Sequence, residues 1–292
     1  MAWQILLYHD VNWEEPRALR GLGGTTTPDV FRAHVAAARQ VGDVVSPAEA
    51  AQRLALDPRG RIITFWFDDG LAGVARYAAP ILAEHGLTGA LAVCSRFWRR
   101  SEPFWRFQLA HLVTLGRAAP LRAALAVPPG ASLRDHVLDH FGAPALAAID
   151  RIWGELPAGE RAAAAHAFMN HDDIAALVEA GWTLANHTAA HHPVGEARAA
   201  DTLAAQFEEC AAALRDDFAV DPPYWVLPFD RPGARTADLT ARVRAAAPER
   251  TLVLVGDRAN RPADVAARVL HRFFVPPTLP PGALHRLLKG NA

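Results

Sequence analysis

The sequence predicts an α/β protein in which strands and helices alternate and the strands run parallel. Short apolar segments rich in β-branched and aromatic residues recur along the chain, and segments with the apolar spacing of helices separate most of them. One such strand ends in Asp68 and Asp69, and another ends beside His187. This alternation favours parallel strands joined by helical crossovers.

The elements follow one another in a regular order. In the first part of the chain they are strands over residues 5–8, 44–46, 62–67 and 88–93 and helices over 27–40, 47 onward and 74–85. In the last part they are strands over 182–185, 224–227, 251–255 and 269–275 and helices over 174–180, 199–215 and from about 236. Pro28 suits the first turn of its helix, and Gly86 follows the end of another.

The strand signals stop between about Ser95 and His166. This region is rich in Ala, Leu, Arg and Pro, and its pattern is mostly helical. We therefore expect a single domain over residues 1–292 that contains a helical insertion at about 96–168, on the rim of the barrel or sheet.

Charge and hydropathy exclude several classes of protein. The chain has 30 Lys and Arg against 31 Asp and Glu, whereas general nucleic-acid binders have a basic surplus. No apolar run approaches the roughly 20 residues that span a bilayer, so membrane insertion is not expected. The first residues lack the pattern of a signal peptide and predict a core strand, which leads us to expect a cytoplasmic protein.

Asp68 and Asp69 are the first candidate functional residues. Two carboxylates at the end of a buried strand are unfavourable unless a positive group lies beside them. A divalent metal ion is one such group, because it can bind one carboxylate and leave the other free as a base. The alternative is a simple Asp-Asp-Gly turn after a core strand.

His187 and His191 form the second candidate group. Side chains four residues apart share one face of a helical turn, so both imidazoles could reach one ion. Such a pair can also occur by chance on a surface helix. Both groups, however, follow predicted strands, and the carboxyl ends of parallel strands meet on one face of the fold. A joint site of both imidazoles and one of the two carboxylates would suit zinc.

These residues resemble the motifs of the polysaccharide deacetylase family, whose members share the NodB-type domain. Phe67-Asp68-Asp69-Gly70 matches the first motif, with Trp66 in place of Thr, and His187-Thr188-Ala189-Ala190-His191 matches the second in full. The resemblance implies a distorted (β/α) barrel with Asp69, His187 and His191 as ligands of one divalent ion. Zn²⁺ is the expected ion, Co²⁺ and Ni²⁺ are alternatives, and Asp68 would be the general base.

The segment Leu6-Leu7-Tyr8-His9 resembles the start of the circularly permuted branch of the family, which includes poly-N-acetylglucosamine deacetylases. His9 is therefore the predicted general acid. The alternatives are that His9 merely caps a core strand by hydrogen bonding, or that His271 supplies the acid.

The third family motif is only partly present, as Leu227-Pro228-Phe229 without its arginine. By resemblance, the backbone N–H of Phe229 would help to stabilise the oxyanion. The partner of Asp68 stays open, and the substitutes considered are Arg231, Arg235 and Arg258. The candidate substrate contacts are Trp66, Trp98, Trp105, Asp257 and His271.

The resemblance implies a metal-dependent hydrolase that removes an N-acyl group, above all N-acetyl, from an amino sugar or its oligomer or polymer. A water on the metal would attack the amide carbonyl, with Asp68 as base and His9 as acid. One alternative is a deacylase or deformylase of a small cytoplasmic N-acylated metabolite. Another is a non-catalytic carbohydrate-binding relative, which would not need a base beside three metal ligands.

Overall fold

The computed structural model describes residues 2–56, 60–193, 200–230 and 237–290. The strands in these ranges are β1 (Ala2–Tyr8), β2 (Asp10–Val11), β3 (Thr25–Thr26), β4 (Asp43–Val44), β5 (Arg61–Phe67), β6 (Ala90–Val93), β7 (Thr183–Asn186), β8 (Tyr224–Val226), β9 (Thr251–Val255) and β10 (Val269–Phe274).

The helices lie between and after these strands. They are α1 (Pro28–Arg39), α2 (Pro47–Leu56), α3 (Ala79–Ala83), α4 (Ser95–Trp98), α5 (Trp105–Thr114), α6 (Ala118–Ala124), α7 (Leu133–Asp139), α8 (Ala143–Gly154), α9 (Ala158–Ala165), α10 (His171–Glu179), α11 (Ala200–Phe218), α12 (Ala237–Ala246), α13 (Pro262–Ala266) and α14 (Pro281–Gly290). None of the described helices is long and apolar enough to cross a membrane.

Seven of the strands form a closed parallel barrel in the order β1-β10-β9-β8-β7-β6-β5, and β5 pairs back to β1. The short strand β4 joins the first residues of β5 outside this ring. The predicted distorted (β/α) barrel is therefore confirmed. Every strand predicted in the last part of the chain overlaps an observed one.

Side chains alternate between the inside and the outside of the barrel. Trp3 and Ile5 of β1 belong to the cluster that fills the barrel, together with Trp66 of β5. Leu6 and Tyr8 of β1 pack instead under the surrounding helices. The cluster of Trp3, Ile5 and Trp66 fills the interior of the barrel, and a cavity lies beyond it at the carboxyl ends of the strands.

The helix predicted over 74–85 is distorted. Residues Val74–Ala78 form a π-helical turn that leads into the short helix α3. Pro80 explains the change, because its nitrogen cannot donate the hydrogen bond that a regular α-helix requires at this position. Helix α14 was not predicted, although its leucines Leu284 and Leu288 are fully buried.

Helices α4–α9 lie between β6 and α10 and have an apolar core of their own. Phe97, Phe104, Phe107 and Leu121 belong to that core, which also includes Leu71 at the end of β5. The contact with Leu71 brings these helices beside the carboxyl ends of the strands. The division into one domain with an insertion at about 96–168 stays a prediction.

Candidate metal and active site

Asp68 and Asp69 lie where β5 leaves the barrel. The backbone N–H of Asp68 donates to the carbonyl of Tyr8 at 3.0 Å, so Asp68 still follows the β1–β5 ladder. Asp69 and Gly70 then both have φ near +71°, which turns the chain sharply. A Cβ at Gly70 would lie 3.2 Å from a methyl of Val93. Both the positive φ and the lack of space therefore favour glycine at this position.

His187 and His191 lie on an irregular loop after β7, so the predicted helical turn is wrong. Thr188 and His191 have φ of +72° and +52°, which no helix contains. Side chains replace the helical hydrogen bonds. Asn186 Oδ1 accepts the N–H of Thr188 at 2.9 Å, and Thr188 Oγ1 accepts the N–H of His191 at 3.1 Å. The two imidazoles nevertheless converge, as the sequence predicted.

Three potential ligand atoms face one another in this site. His191 Nε2 lies 3.1 Å from His187 Nε2 and 3.2 Å from Asp69 Oδ1, and His187 Nε2 lies 3.5 Å from that oxygen. His187 Nδ1 donates to the carbonyl of Val226 at 2.9 Å, which leaves the Nε2 lone pair directed at the group. Asp69 Oδ1 is buried without a hydrogen-bond partner among the described residues.

This arrangement fits a tetrahedral metal ion. Bonds of about 2.0–2.1 Å place tetrahedral ligand atoms about 3.3–3.4 Å from one another, close to the separations observed. Without a cation, acceptor atoms that point at each other in a buried site would be unfavourable. Asp69, His187 and His191 are also the one group among the described residues whose ligand atoms lie close enough to hold an ion.

Asp68 pairs with Arg272 of β10 through Oδ1, and its other oxygen, Oδ2, lies 3.7 Å from His187 Nε2. Arg272 Nη1 donates to Asp68 Oδ1 at 2.5 Å, and the side chains are 1% and 5% exposed. Burial opposes ionisation of Asp68, but the charges of Arg272 and His187 outweigh it and hold the pKa below its usual value. Asp68 is therefore a carboxylate that is kept ionised beside the three ligand atoms.

Arg272 is a candidate functional residue that the sequence analysis missed. Of the three arginines considered as partners of Asp68, Arg258 binds Asp264 at the surface, with Nη2–Oδ1 at 2.6 Å. Arg231 and Arg235 lie outside the described residues. The sequence did contain an indication of this role, because Arg272 is a charged residue within the mostly apolar strand β10. It lies next to His271, which was considered as the acid and as a substrate contact.

His9 lies immediately after β1 and lines the same cavity as the metal-binding group. Its ring stands edge-on to Phe274, with the centroids 5.7 Å apart. His9 Nδ1 is buried and has no hydrogen-bond partner among the described residues, which gives no support to a capping role for that atom. Burial lowers the pKa of His9, although Asp69 and Asp68 act in the opposite direction.

Phe229 forms the wall beside His191. The two rings are 4.6 Å apart at their centroids, and Trp105 packs on the other side of Phe229 at 5.6 Å. Phe229 has φ +53°, like Asp69 and His191 in the left-handed region. A non-glycine residue held in such a conformation costs about 1–3 kcal/mol, and such residues concentrate at functional sites.

The cavity at the carboxyl ends of the strands has a volume of about 380 Å³. Its described lining consists of Leu7, His9, Leu19, Leu22, Gly23, Gly24, Asp68, Asp69, Leu71, Arg106, Phe107, Arg134, His187, His191, Leu227, Phe229, Asp230, Val255, Arg272 and Phe274. The predicted catalytic and metal-binding side chains all line this cavity, namely His9, Asp68, Asp69, His187 and His191. Phe229, whose predicted role belongs to its backbone N–H, also lines it.

The structure does not bring the predicted substrate contacts into this cavity. Trp66 is fully buried beneath Arg272, and its Nε1 donates to Thr64 Oγ1 at 3.0 Å. Trp98 packs in the core and donates to Asp217 at 2.8 Å. The structural contacts of both rings come from residues that the sequence alone could not identify.

The other three candidates also lie outside the described lining. Trp105 is 2% exposed, and its Nε1 is 3.4 Å from the carbonyl of His191, so it supports the histidine loop from behind. Asp257 is exposed after β9. His271 alternates with Arg272 along β10 and therefore lies on the opposite face of the strand.

Comparisons with known proteins identify the family and the fold of the chain. The polysaccharide deacetylase family model matches residues 55–247. No curated protein matches the sequence. The fold is similar to that of the Streptococcus pyogenes deacetylase PplD solved with acetate, with TM-score 0.63 and 14% identity over 99% of this chain and 98% of that one.

Two further solved structures are similar over their whole length. IcaB from Ammonifex degensii has TM-score 0.61 and 18% identity, covering 99% of this chain and 97% of that one. A de-N-acetylase from Aggregatibacter actinomycetemcomitans has TM-score 0.61 and 13% identity, covering 98% and 100%. At such identities the likeness concerns the fold. Because the family model matches more than half of the residues, the chain belongs to the polysaccharide deacetylase family of hydrolases.

Proposed function

We propose that this protein is a divalent-metal-dependent N-deacetylase that acts on an amino sugar, alone or within an oligomer or polymer. The observation that supports the proposal most directly is the meeting of three ligand atoms with the Asp68–Arg272 pair in one cavity. The family of the chain supports this reaction, and the solved structures of similar fold include a de-N-acetylase and a deacetylase with acetate.

Asp69, His187 and His191 would hold the ion. When bound, a divalent ion polarises a carbonyl oxygen and lowers the pKa of water, with Zn²⁺ expected and Co²⁺ or Ni²⁺ as alternatives. Asp68 would accept the proton of the attacking water, and Arg272, which donates to its carboxylate, would hold it in position. The backbone N–H of Phe229 would face the oxygen that becomes negative.

Proton transfers complete the reaction. As the water oxygen bonds to the carbonyl carbon, its proton passes to Asp68. The C–N bond then breaks, and His9 donates a proton to the leaving amine, so the products are acetate and a free amino group. His9 is suited to this step by its place in the cavity wall.

A small N-acylated metabolite is the second candidate substrate. The specific observation in its favour is that nine of the twenty residues in the described lining are Leu, Val or Phe. The cytoplasmic location expected from the sequence stays a prediction.

Removal of the metal is expected to abolish acetate release from N-acetylglucosamine oligomers and small amides. Dialysis against a chelator should give an inactive protein, and Zn²⁺ or Co²⁺ at one equivalent per chain should restore it. Metal at 100 times its Kd should also raise the free energy of unfolding by about 2.7 kcal/mol. His191→Ala should lose both effects, and His171→Ala, at an exposed position, should keep them. Unchanged turnover by metal-free protein would contradict the proposal.

His9→Gln is expected to reduce turnover by about 10²- to 10⁴-fold, the usual contribution of a general acid. Metal content should stay near one per chain, because His9 is not among the three ligands. His171→Gln is the matched control. Turnover close to that of the unmodified protein would remove His9 from the mechanism.

A further inference from the structure

The polar groups of the catalytic cavity are unusual for a site that binds a neutral sugar. Beyond the proposed catalytic and metal-binding residues, the polar side chains in the described lining are Arg106, Arg134 and Asp230. A sugar ring has several hydroxyl groups, and each one that is buried needs a hydrogen-bond partner. Side-chain amides and hydroxyls, which commonly supply such partners, are absent from the described lining.

Arg106 and Arg134 come from two different helices of the region between β6 and α10. Arg106 lies in the first turn of α5, and its guanidinium carbon is 5.2 Å from the ring centroid of Phe229. Because the Phe229 ring lies 4.6 Å from that of His191, this cation is close to the metal-binding group.

Arg134 lies in the first turn of α7 and also lines the cavity. Arg134 forms an ion pair with its own neighbour Asp135, with Nε–Oδ1 at 3.8 Å and side chains 37% and 58% exposed. A contact of that length at such exposure contributes little. A ligand anion could therefore compete for this guanidinium at small cost.

The charge balance of the cavity also favours an anionic ligand. Three arginines and three aspartates line it, and Arg272 is already paired with Asp68. A divalent ion between Asp69, His187 and His191 would make the sum positive by two charges. A positive cavity with low-dielectric walls attracts anions.

Building on the proposed function, we propose that the N-acyl substrate also has an anionic group, a carboxylate or a phosphate, which Arg134 and Arg106 bind. Guanidinium groups bind both anions through paired N–H donors in a fixed geometry, which lysine cannot reproduce. The apolar side chains around them would cover the body of a compact substrate. The two arginines would then decide which N-acyl compound is accepted.

The test compares three compounds that share one N-acetyl amino sugar. They are N-acetylglucosamine, N-acetylmuramic acid with a carboxylate, and N-acetylglucosamine 6-phosphate. Binding to the metal-loaded protein is measured by calorimetry, and acetate release is measured in parallel. At least one anionic compound should bind about 10- to 100-fold more tightly than the neutral one, the range expected for hydrogen bonds to a charged group. The preferred compound also distinguishes carboxylate from phosphate.

Arg134→Gln and Arg106→Gln should each remove most of this preference, because binding of the charged compound should weaken much more than binding of the neutral one. Arg151→Gln is the matched control, since Arg151 is 63% exposed on α8. Equal affinity for all three compounds, or an equal loss for charged and neutral ones in the variants, would overturn the inference. Tight anion binding without acetate release from any compound would support the anion site and count against the proposed deacetylation.

Discussion

Replacement of Asp68 by asparagine is expected to lower kcat by about 10²- to 10⁴-fold, because the amide cannot accept the proton of the attacking water. Asparagine keeps an oxygen that can accept from Arg272, so the position of the side chain should be preserved. Metal content should stay at one ion per chain, because the three ligand atoms belong to other residues. Single-turnover acetate release and metal analysis would measure the two effects separately.

Asp257→Asn is the control for this experiment, since Asp257 is exposed and lies outside the described lining of the cavity. It should change kcat less than twofold. If Asp68→Asn kept full activity, the base would have to be another group. If it lost its metal as well, Asp68 would have to be counted among the ligands.

Arg272→Met is expected to destabilise the fold by about 3–5 kcal/mol, the usual cost of leaving one charge of a buried ion pair without its partner. The pair is almost fully buried, with side-chain exposures of 1% and 5%, so water cannot replace the lost guanidinium. Urea unfolding would measure the change. Arg258→Met, which breaks an exposed pair with Asp264, should cost only about 0–1 kcal/mol.

A double variant separates the two roles of Arg272. In Arg272→Met with Asp68→Asn, no charge is left alone, so much of the lost stability should return while turnover stays low. If the double variant were no more stable than Arg272→Met, the cost would come from lost packing against Trp66 rather than from the unpaired carboxylate. Unchanged stability in the single variant would mean that the pair contributes nothing.

The sequence predicted those parts of the site that follow local patterns. Apolar runs identified the strands, and Asp68-Asp69 and His187 directly follow two of them, so parallel pairing brings them together. The prediction of a helical turn at His187–His191 was wrong although its consequence was right. Spacing alone does not distinguish a helix from a loop whose N–H groups bond to Asn186 and Thr188.

Contacts between distant segments were beyond the reach of the sequence. Asp68 and Arg272 are 204 residues apart, and only the β1–β10 and β1–β5 pairings place them side by side. The same limit explains why Trp66, Trp98 and Trp105 were predicted as substrate contacts but lie outside the described lining of the cavity. From the sequence alone, an aromatic residue can either stack on a sugar ring or pack in the core. Here the aromatic neighbours of each ring come from other segments of the chain.

The closure of the barrel through β1 has a consequence for how the protein acquires activity during synthesis. His9 follows β1, whereas Arg272 belongs to β10, which is synthesised after every other strand of the barrel. Gln4 donates to the carbonyl of Leu288, a contact that spans 284 residues. Contacts of such range form late and slow folding. A nascent chain can contain every proposed metal ligand and still lack the arginine that holds the base, so hydrolysis should begin only after the last strand has joined the first.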